Sequence, residues 1–162
     1  MILVVADTSP LVYLVQIGCE DVLPVLFDVV LVPEAVIQEL EDLQTPANVR
    51  AWLRAGPRWL EVRQISLSGS SALAGLDAGE AEAIQLAKFE HADLLLIDER
   101  RGVGVAQRQG LEVTGTLGVL LQAARRKLIV LDEALARLQA TNFRCTPRLL
   151  EEVRKSARKK PL

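Results

Sequence analysis

The stretch Ile2-Leu3-Val4-Val5-Ala6-Asp7-Thr8-Ser9-Pro10 decides how this chain is read. A continuous run of aliphatic and β-branched residues suits a strand buried on both faces, as in the middle of a parallel sheet. The run stops on a carboxylate. Ser9 and Pro10 then read as the hydroxyl N-cap and the first residue of a helix. Asp7 is therefore predicted at the carboxyl end of a central strand, beside a helix N-terminus. Open α/β sheets place their ligands there.

Working outward, Leu11 to Ile17 reads as a short helix ended by Gly18, and about Glu20 to Phe27 as a second. Val29 to Val32 is the next strand, halted by Pro33. That proline also opens a helix from Glu34 to Leu43, with Val36, Ile37, Leu40 and Leu43 as its apolar stripe. Pro46 opens another helix through Leu53, and Trp59 to Val62 is a short strand. Ser- and Gly-rich residues 66–75 form the one flexible-looking connection, a loop inside the domain. A helix from Ala78 to about Glu90 precedes a second buried strand, Leu94 to Ile97, which ends on Asp98 and Glu99. A helix from Arg101 to Gln109, a strand near Glu112 and Val113, and a helix from Thr116 to Arg126 follow, with Gly115 and Thr116 as turn and N-cap. Two further helices, Asp132 to Ala140 and Thr146 to Ala157, precede a basic tail. Strands alternating with helices predict an α/β fold, a three-layer α/β/α sandwich with a central parallel sheet. The predicted organisation is one domain over residues 1–150 and a basic helix end and tail over 151–162.

The chain has 162 residues, 50% hydrophobic but only 4% aromatic, so the expected core is aliphatic. The formal net charge of -2 hides an asymmetry. Residues 1–99 hold 16 Asp and Glu against 5 Lys and Arg, and residues 100–162 hold 5 against 14. Such a division suggests a polyanionic partner, unless the two halves intermix on one neutral surface. Cys19 and Cys145 match no metal or redox spacing, as expected of reduced structural thiols in a cytoplasmic protein. The apolar N-terminus lacks a basic flank and is interrupted by Asp7, unlike a signal peptide. No uncharged run approaches the ~20 residues of a membrane span.

Asp7 and Asp98 both end apolar strands, which in a parallel sheet directs them to one crevice. Asp98 also reads as an N-cap for the helix that follows it. On a helix advancing about 100° per residue, Glu80 lines up with Ala83, Ile84 and Ala87, the core-facing positions, while Glu82 falls on the solvent side. A carboxylate within an apolar stripe is costly unless compensated. The spacing Asp77-Ala78-Gly79-Glu80 also fits a capping box, with Asp77 as cap or outer-shell ligand. Glu39 and Glu41 lie at opposite edges of their helix's stripe, and periodicity does not choose between them. His91, the only histidine, sits at a helix end, and there is no Gly-rich phosphate loop. Carboxylates without His or Cys favour hard ions, Mg²⁺ or Mn²⁺. The reading is of carboxylates around Asp7 that hold a divalent metal and cut a phosphodiester, their mutual repulsion raising one or more pKa values without metal.

At these residues the sequence resembles the PIN-domain ribonucleases, and within them the VapC-type toxins of toxin–antitoxin pairs. The resemblance is carried by Val5-Ala6-Asp7-Thr8-Ser9-Pro10-Leu11; by Val32-Pro33-Glu34-Ala35-Val36-Ile37-Gln38-Glu39-Leu40; by Leu76-Asp77-Ala78-Gly79-Glu80-Ala81-Glu82-Ala83-Ile84; by Leu96-Ile97-Asp98-Glu99; and by Thr114-Gly115-Thr116-Leu117-Gly118-Val119-Leu120. It implies acidic ligands at Asp7, at Glu39 rather than Glu41, at Glu80 and at Asp98, with Glu99 able to share or replace the last. Thr8 or Ser9, Asp77 and Thr116 are implied as supporting residues. It further implies a homodimer cutting single-stranded RNA with Mg²⁺ or Mn²⁺, and a cognate antitoxin as partner. Gly102-Val103-Gly104-Val105 departs from the pattern, since similar proteins often carry an arginine there.

An acidic pocket repels RNA, so attraction is expected from Arg100, Arg101 and Arg108, and from Arg125, Arg126 and Lys127. The tail residues Arg154, Lys155, Arg158, Lys159 and Lys160 offer the same, or a site for an acidic antitoxin segment. With few aromatics, reading of RNA by stacking looks limited. Of the rival readings, phosphoryl transfer through an aspartyl phosphate lacks the second aspartate two residues after Asp7. A catalytically degenerate fold that binds RNA or protein without cutting is the stronger rival.

Overall fold

The computed structural model describes residues 1–67 and 71–159. Five parallel strands form one sheet: β1 (Leu3–Ala6), β2 (Val29–Pro33), β3 (Leu60–Arg63), β4 (Leu94–Leu96) and β5 (Val113–Thr114). Their order is β3-β2-β1-β4-β5, so β1 is the middle strand. Val5 sits opposite Leu31 on one side and Leu95 on the other. The chain runs outward in one direction, returns past β1 and continues in the other. This reversal opens a crevice at the carboxyl ends of β1 and β4.

Alternation along β1 separates two cores. Val4 and Ala6 join one cluster with Leu96 and with residues of α1 (Thr8–Gln16), α2 (Leu23–Leu26), α3 (Glu34–Glu41), α4 (Ala47–Arg54), α7 (Thr116–Arg125), α8 (Leu131–Gln139) and α9 (Pro147–Arg158). Val5 joins the other, with Leu31, Leu95 and Ile97 and with residues of α5 (Ala78–Phe89) and α6 (Arg100–Arg108). Helices cover both faces, which is the expected three-layer sandwich. The period-2 direction of side chains along a strand produces this division.

Several boundaries differ from the sequence reading. The first helix begins at Thr8, so Ser9 is not its N-cap and Pro10 is its third residue, still within the first turn where a missing N–H is tolerated. Asp7 is extended (φ -81°, ψ 173°) and donates its N–H to the Leu96 carbonyl at 2.8 Å, making it both the end of the strand ladder and the helix N-cap position. Leu43 is no part of an apolar stripe: α3 ends at Glu41 and Leu43 is 83% exposed. The N-cap of α7 is Gly115, with Thr116 its first residue. α9 runs across residues 150 and 151 and buries Leu150 and Val153. Of the loop over 66–75, residues 68–70 lie outside the described residues, and Ser71–Leu73 forms a 3-10 turn. Lys160 also lies outside them. Both cysteines are free. Among the described residues no single helix is long and apolar enough to cross a membrane.

Leu96 is fully buried beside β1, whereas Leu43 is exposed. Leu96→Ala is expected to cost roughly 3 kcal/mol, and Leu43→Ala to stay within about 0.5 kcal/mol of wild type. Urea unfolding of the two variants checks this division of the apolar residues.

Candidate active site

Asp7 leaves β1 at the crevice and is 3% exposed. Its carboxylate does not cap α1, and its Oδ1 is buried with no hydrogen-bond partner. A buried acceptor in that state is costly, and a buried charge more so. Burial raises the Asp7 pKa from 3.8 to about 8; the Thr8 backbone N–H opposes this, while Asp77, Glu80 and Glu39 add to it by repulsion.

Glu39 reaches the crevice from α3, whereas Glu41 is exposed. The Thr8 hydroxyl donates to the Glu39 carboxylate, and the Gly79 N–H donates to it at 3.0 Å. Thr8 rather than Ser9 is thus the hydroxyl that supports an acidic side chain. A Cβ on Gly79 would sit 2.5 Å from Glu39 Oε1. A side chain there would have to push the Glu39 carboxylate from its present place. Burial moves the Glu39 pKa upward, with the Thr8 hydroxyl drawing it back and Asp77 adding repulsion.

Asp77 caps α5: its Oδ1 accepts the Glu80 N–H at 2.8 Å. The capping-box reading of this spacing holds on both sides, since the Asp77 N–H also reaches the Glu80 carboxylate, and Glu80 is nonetheless buried at 8% exposure. Burial and then Asp77 raise the Glu80 pKa from 4.5 to about 7, with Glu99 adding repulsion. Glu82 does not face solvent as periodicity suggested. It is half-buried, and its Oε1 accepts the Ala35 N–H at 3.2 Å. An acidic side chain from α5 thus serves the start of α3, whose N-cap residue, Pro33, makes no side-chain capping bond.

Asp98 follows β4 and does not cap the next helix; Glu99 does, accepting the Gly102 N–H at 3.0 Å. Asp98 instead accepts the Thr116 N–H and the Thr116 hydroxyl, both at 2.7 Å. Thr116 is fully buried, so this clamp joins the end of β4 to the start of α7. Burial raises the Asp98 pKa, and the two Thr116 bonds oppose it. A Cβ on Gly115 would lie 2.5 Å from Asp98 Oδ1, a second glycine whose missing side chain makes room for a carboxylate.

Carboxylates from the end of β1, from α3 and from α5 with its cap Asp77 are close enough to repel one another, Asp98 follows the neighbouring strand, and no lysine or arginine is among the main influences on Asp7, Glu39, Glu80 or Asp98. A hard divalent cation fits this set: every donor is oxygen, the charges repel, and Asp7 Oδ1 is buried without a partner. The set is not closed. Among the described residues no three His, Cys, Asp or Glu side chains converge enough to hold a metal ion. Glu39 and Asp98 are tied instead to their own hydroxyl and N–H donors. Exposed His91, at the far end of α5, takes no part.

Of the expected arginines, Arg100 lines a hollow beside Asp98. The Arg101 guanidinium lies against Gly75, and Arg108 is in the last turn of α6, about 12 Å along the helix from Arg100. The hollow, about 840 Å³, is also lined by Tyr13, Asn142, Phe143 and Arg144, which the sequence reading did not single out. The only sequence signal for them was an aromatic beside an arginine in a polar connection between helices.

The raised pKa values make a directional prediction. Asp7 and Glu80 titrate higher in the folded chain than unfolded, so their protonated forms favour folding. This contribution is complete below about pH 4 and is lost as pH rises through about 7 to 8. The metal-free protein is expected to lose on the order of 3 kcal/mol through Asp7 between about pH 5 and about pH 8. Asp7→Asn should flatten that slope. Thermal or urea unfolding in chelator across this range reads it, and equal slopes in the two proteins would refute the assignment.

A family model described as a PIN domain (DUF3368) matches residues 3–159. Among solved structures the chain is similar to a PilT N-terminus domain protein from the hyperthermophilic archaeon Sulfolobus solfataricus P2, at 14% identity and a TM-score of 0.49, covering 90% of this chain and 100% of that one. No curated protein matches the chain. The family match runs from β1 through α9 and includes every carboxylate of the crevice. The chain belongs to the PIN-domain family, whose fold is of the nuclease type.

Proposed function

We propose that the protein is a metal-dependent endoribonuclease that hydrolyses single-stranded RNA. The observation that carries this reading is the buried, unpartnered Asp7 Oδ1 among the carboxylates of Glu39 from α3 and of Glu80 and its cap Asp77 from α5. Asp7, Glu39, Glu80 and Asp98 are the proposed holders of Mg²⁺ or Mn²⁺, with Glu99 beside them. Such a cation, when bound, neutralises charge on the phosphate and lowers the pKa of a water. Asp7 anchors the site from the end of the central strand. Glu80, held protonated in the metal-free crevice by burial and by Asp77, would give up that proton to a cation and then offer a carboxylate able to accept one from water. Thr8 and Gly79 orient Glu39, Thr116 orients Asp98, and Asp77 fixes the start of the helix that carries Glu80.

The finer reading is a cytoplasmic, homodimeric toxin restrained by a cognate antitoxin. The resemblance of the five motifs to VapC-type toxins supports it, as do Lys155 and Lys159, exposed near the end of α9 and open to an acidic segment. A small antitoxin-like reading frame directly upstream is the expected genomic companion. One observation favours a second reading, a PIN fold that binds without cutting: the carboxylates do not form a closed ligand set among the described residues.

Cleavage separates the two. Wild-type protein, freed of any copurifying partner, is expected to cut a single-stranded RNA pool with Mg²⁺ or Mn²⁺. Asp7→Asn and Glu80→Gln should each lose at least about 100-fold in rate with unchanged circular dichroism. A wild-type protein inert with both ions would favour the binding module.

A further inference from the structure

We propose that the hollow beside Asp98 is a nucleotide subsite that holds the base and phosphate next to the cleaved bond, with Asn142 and Phe143 setting its preference and Arg144 holding the phosphate. The inference deepens the nuclease reading, which supplies the identity of the polymer. The hollow, about 840 Å³, is ample for one nucleotide and is lined by Asp98 and Glu99 just past the end of β4. Its chemistry differs from that of the carboxylate crevice. Tyr13, from α1, and Phe143, from the connection between α8 and α9, meet edge to face with ring centroids 4.9 Å apart. Both rings are half-buried, packed on the core below and reaching the hollow above. A planar base fits such a surface, since every base presents a π-face to an aromatic ring.

The flanking groups suit the rest of a nucleotide. Asn142 and Arg144 bracket Phe143 and are exposed at the rim, and Arg100 stands on the side nearest Asp98. Neither Arg100 nor Arg144 makes an ion pair among the described residues. An unpaired guanidinium at the mouth of an acidic site offers a phosphate the bidentate partner that the carboxylates deny it. An asparagine amide carries both donor and acceptor for a base edge. The Tyr13 hydroxyl lies within electrostatic reach of both Asp98 and Arg144, so the aromatic pair spans the gap between the acidic and basic sides. A second hollow, about 390 Å³, shares Ser9, Tyr13 and Asn142 with the first, which lets a strand continue past the ring pair.

The connection carrying these residues is held at both ends. The Thr141 hydroxyl donates to the Leu138 carbonyl at 2.6 Å and accepts the Phe143 N–H at 3.2 Å, and Thr146 caps α9 through the Leu149 N–H at 3.1 Å. Phe143 is thereby presented before any ligand arrives, which lowers the ordering cost of binding.

The test is binding of fluorescent hexaribonucleotides of A, C, G or U in chelator, where no cleavage occurs, read by anisotropy at several salt concentrations. Wild-type protein is expected to bind and to distinguish the four. Phe143→Leu, which keeps an apolar side chain on the core, should weaken binding about tenfold and shrink the differences among the four. Arg144→Gln should weaken all four alike and lower the salt slope by about one. Wild-type affinity and preference in both variants, or no binding by wild type, would overturn the inference. Cleavage is scored separately with Mn²⁺. Binding that depends on Phe143 and Arg144 in a protein that never cuts upholds the subsite and sinks the nuclease reading, whereas cutting unaffected by either variant does the reverse.

Discussion

An acidic side chain cannot be buried at the end of the central strand of a sheet without something to offset it. Asp7 is 3% exposed, one of its oxygens has no partner, and its neighbours in charge are other carboxylates. Proton uptake is one answer, and the raised pKa expresses it. A divalent cation is the other. Much of the local architecture makes sense as accommodation of these charges: glycines at positions 79 and 115 where carboxylates need room, and the Thr8 and Thr116 hydroxyls that steady Glu39 and Asp98.

The sheet order turns that constraint into a site. Because β1 lies between β2 and β4, the helices after β2 and β4 leave on opposite sides of Asp7. Asp98 approaches along the neighbouring strand, Glu39 from the helix after β2, and Glu80 from the helix that leads into β4. Glu39 and Glu80 come from helices packed on the aliphatic core, and Asp7 and Asp98 stand just past the ends of β1 and β4, so core packing sets much of their separation. The carboxylates stop short of a closed ligand set. Like charges with no cation between them are held apart by repulsion and by their own hydrogen bonds, and a cation reverses the sign of that balance.

The elements that sequence reading placed correctly are those whose signal is local. β1, β2 and β4 announced themselves as aliphatic runs, and α5 by the cap at Asp77 and the stripe through Ala83, Ile84 and Ala87. Glu80 stood out because it broke that stripe. Errors arose where tertiary partners decide. Ser9 looked like a cap because serine before proline favours one, but the ladder bond from Asp7 N–H to Leu96 let the helix begin a turn's fraction earlier. Glu82 looked solvated because no helical wheel shows the start of α3 lying across from it. Asp98 looked like a cap for its own helix, and its true partner, Thr116, is 18 residues away. The ring pair of Tyr13 and Phe143 joins residues too far apart in the chain for any pattern to connect.

The central claim is that the crevice holds protons only in place of a cation. Calorimetric titration of Mn²⁺ into the metal-free protein near pH 7, repeated in two buffers of different ionisation heat, counts the protons that leave as the ion enters. The account predicts binding with release of about one proton or more. Binding with no proton released, or no binding at all, would contradict it.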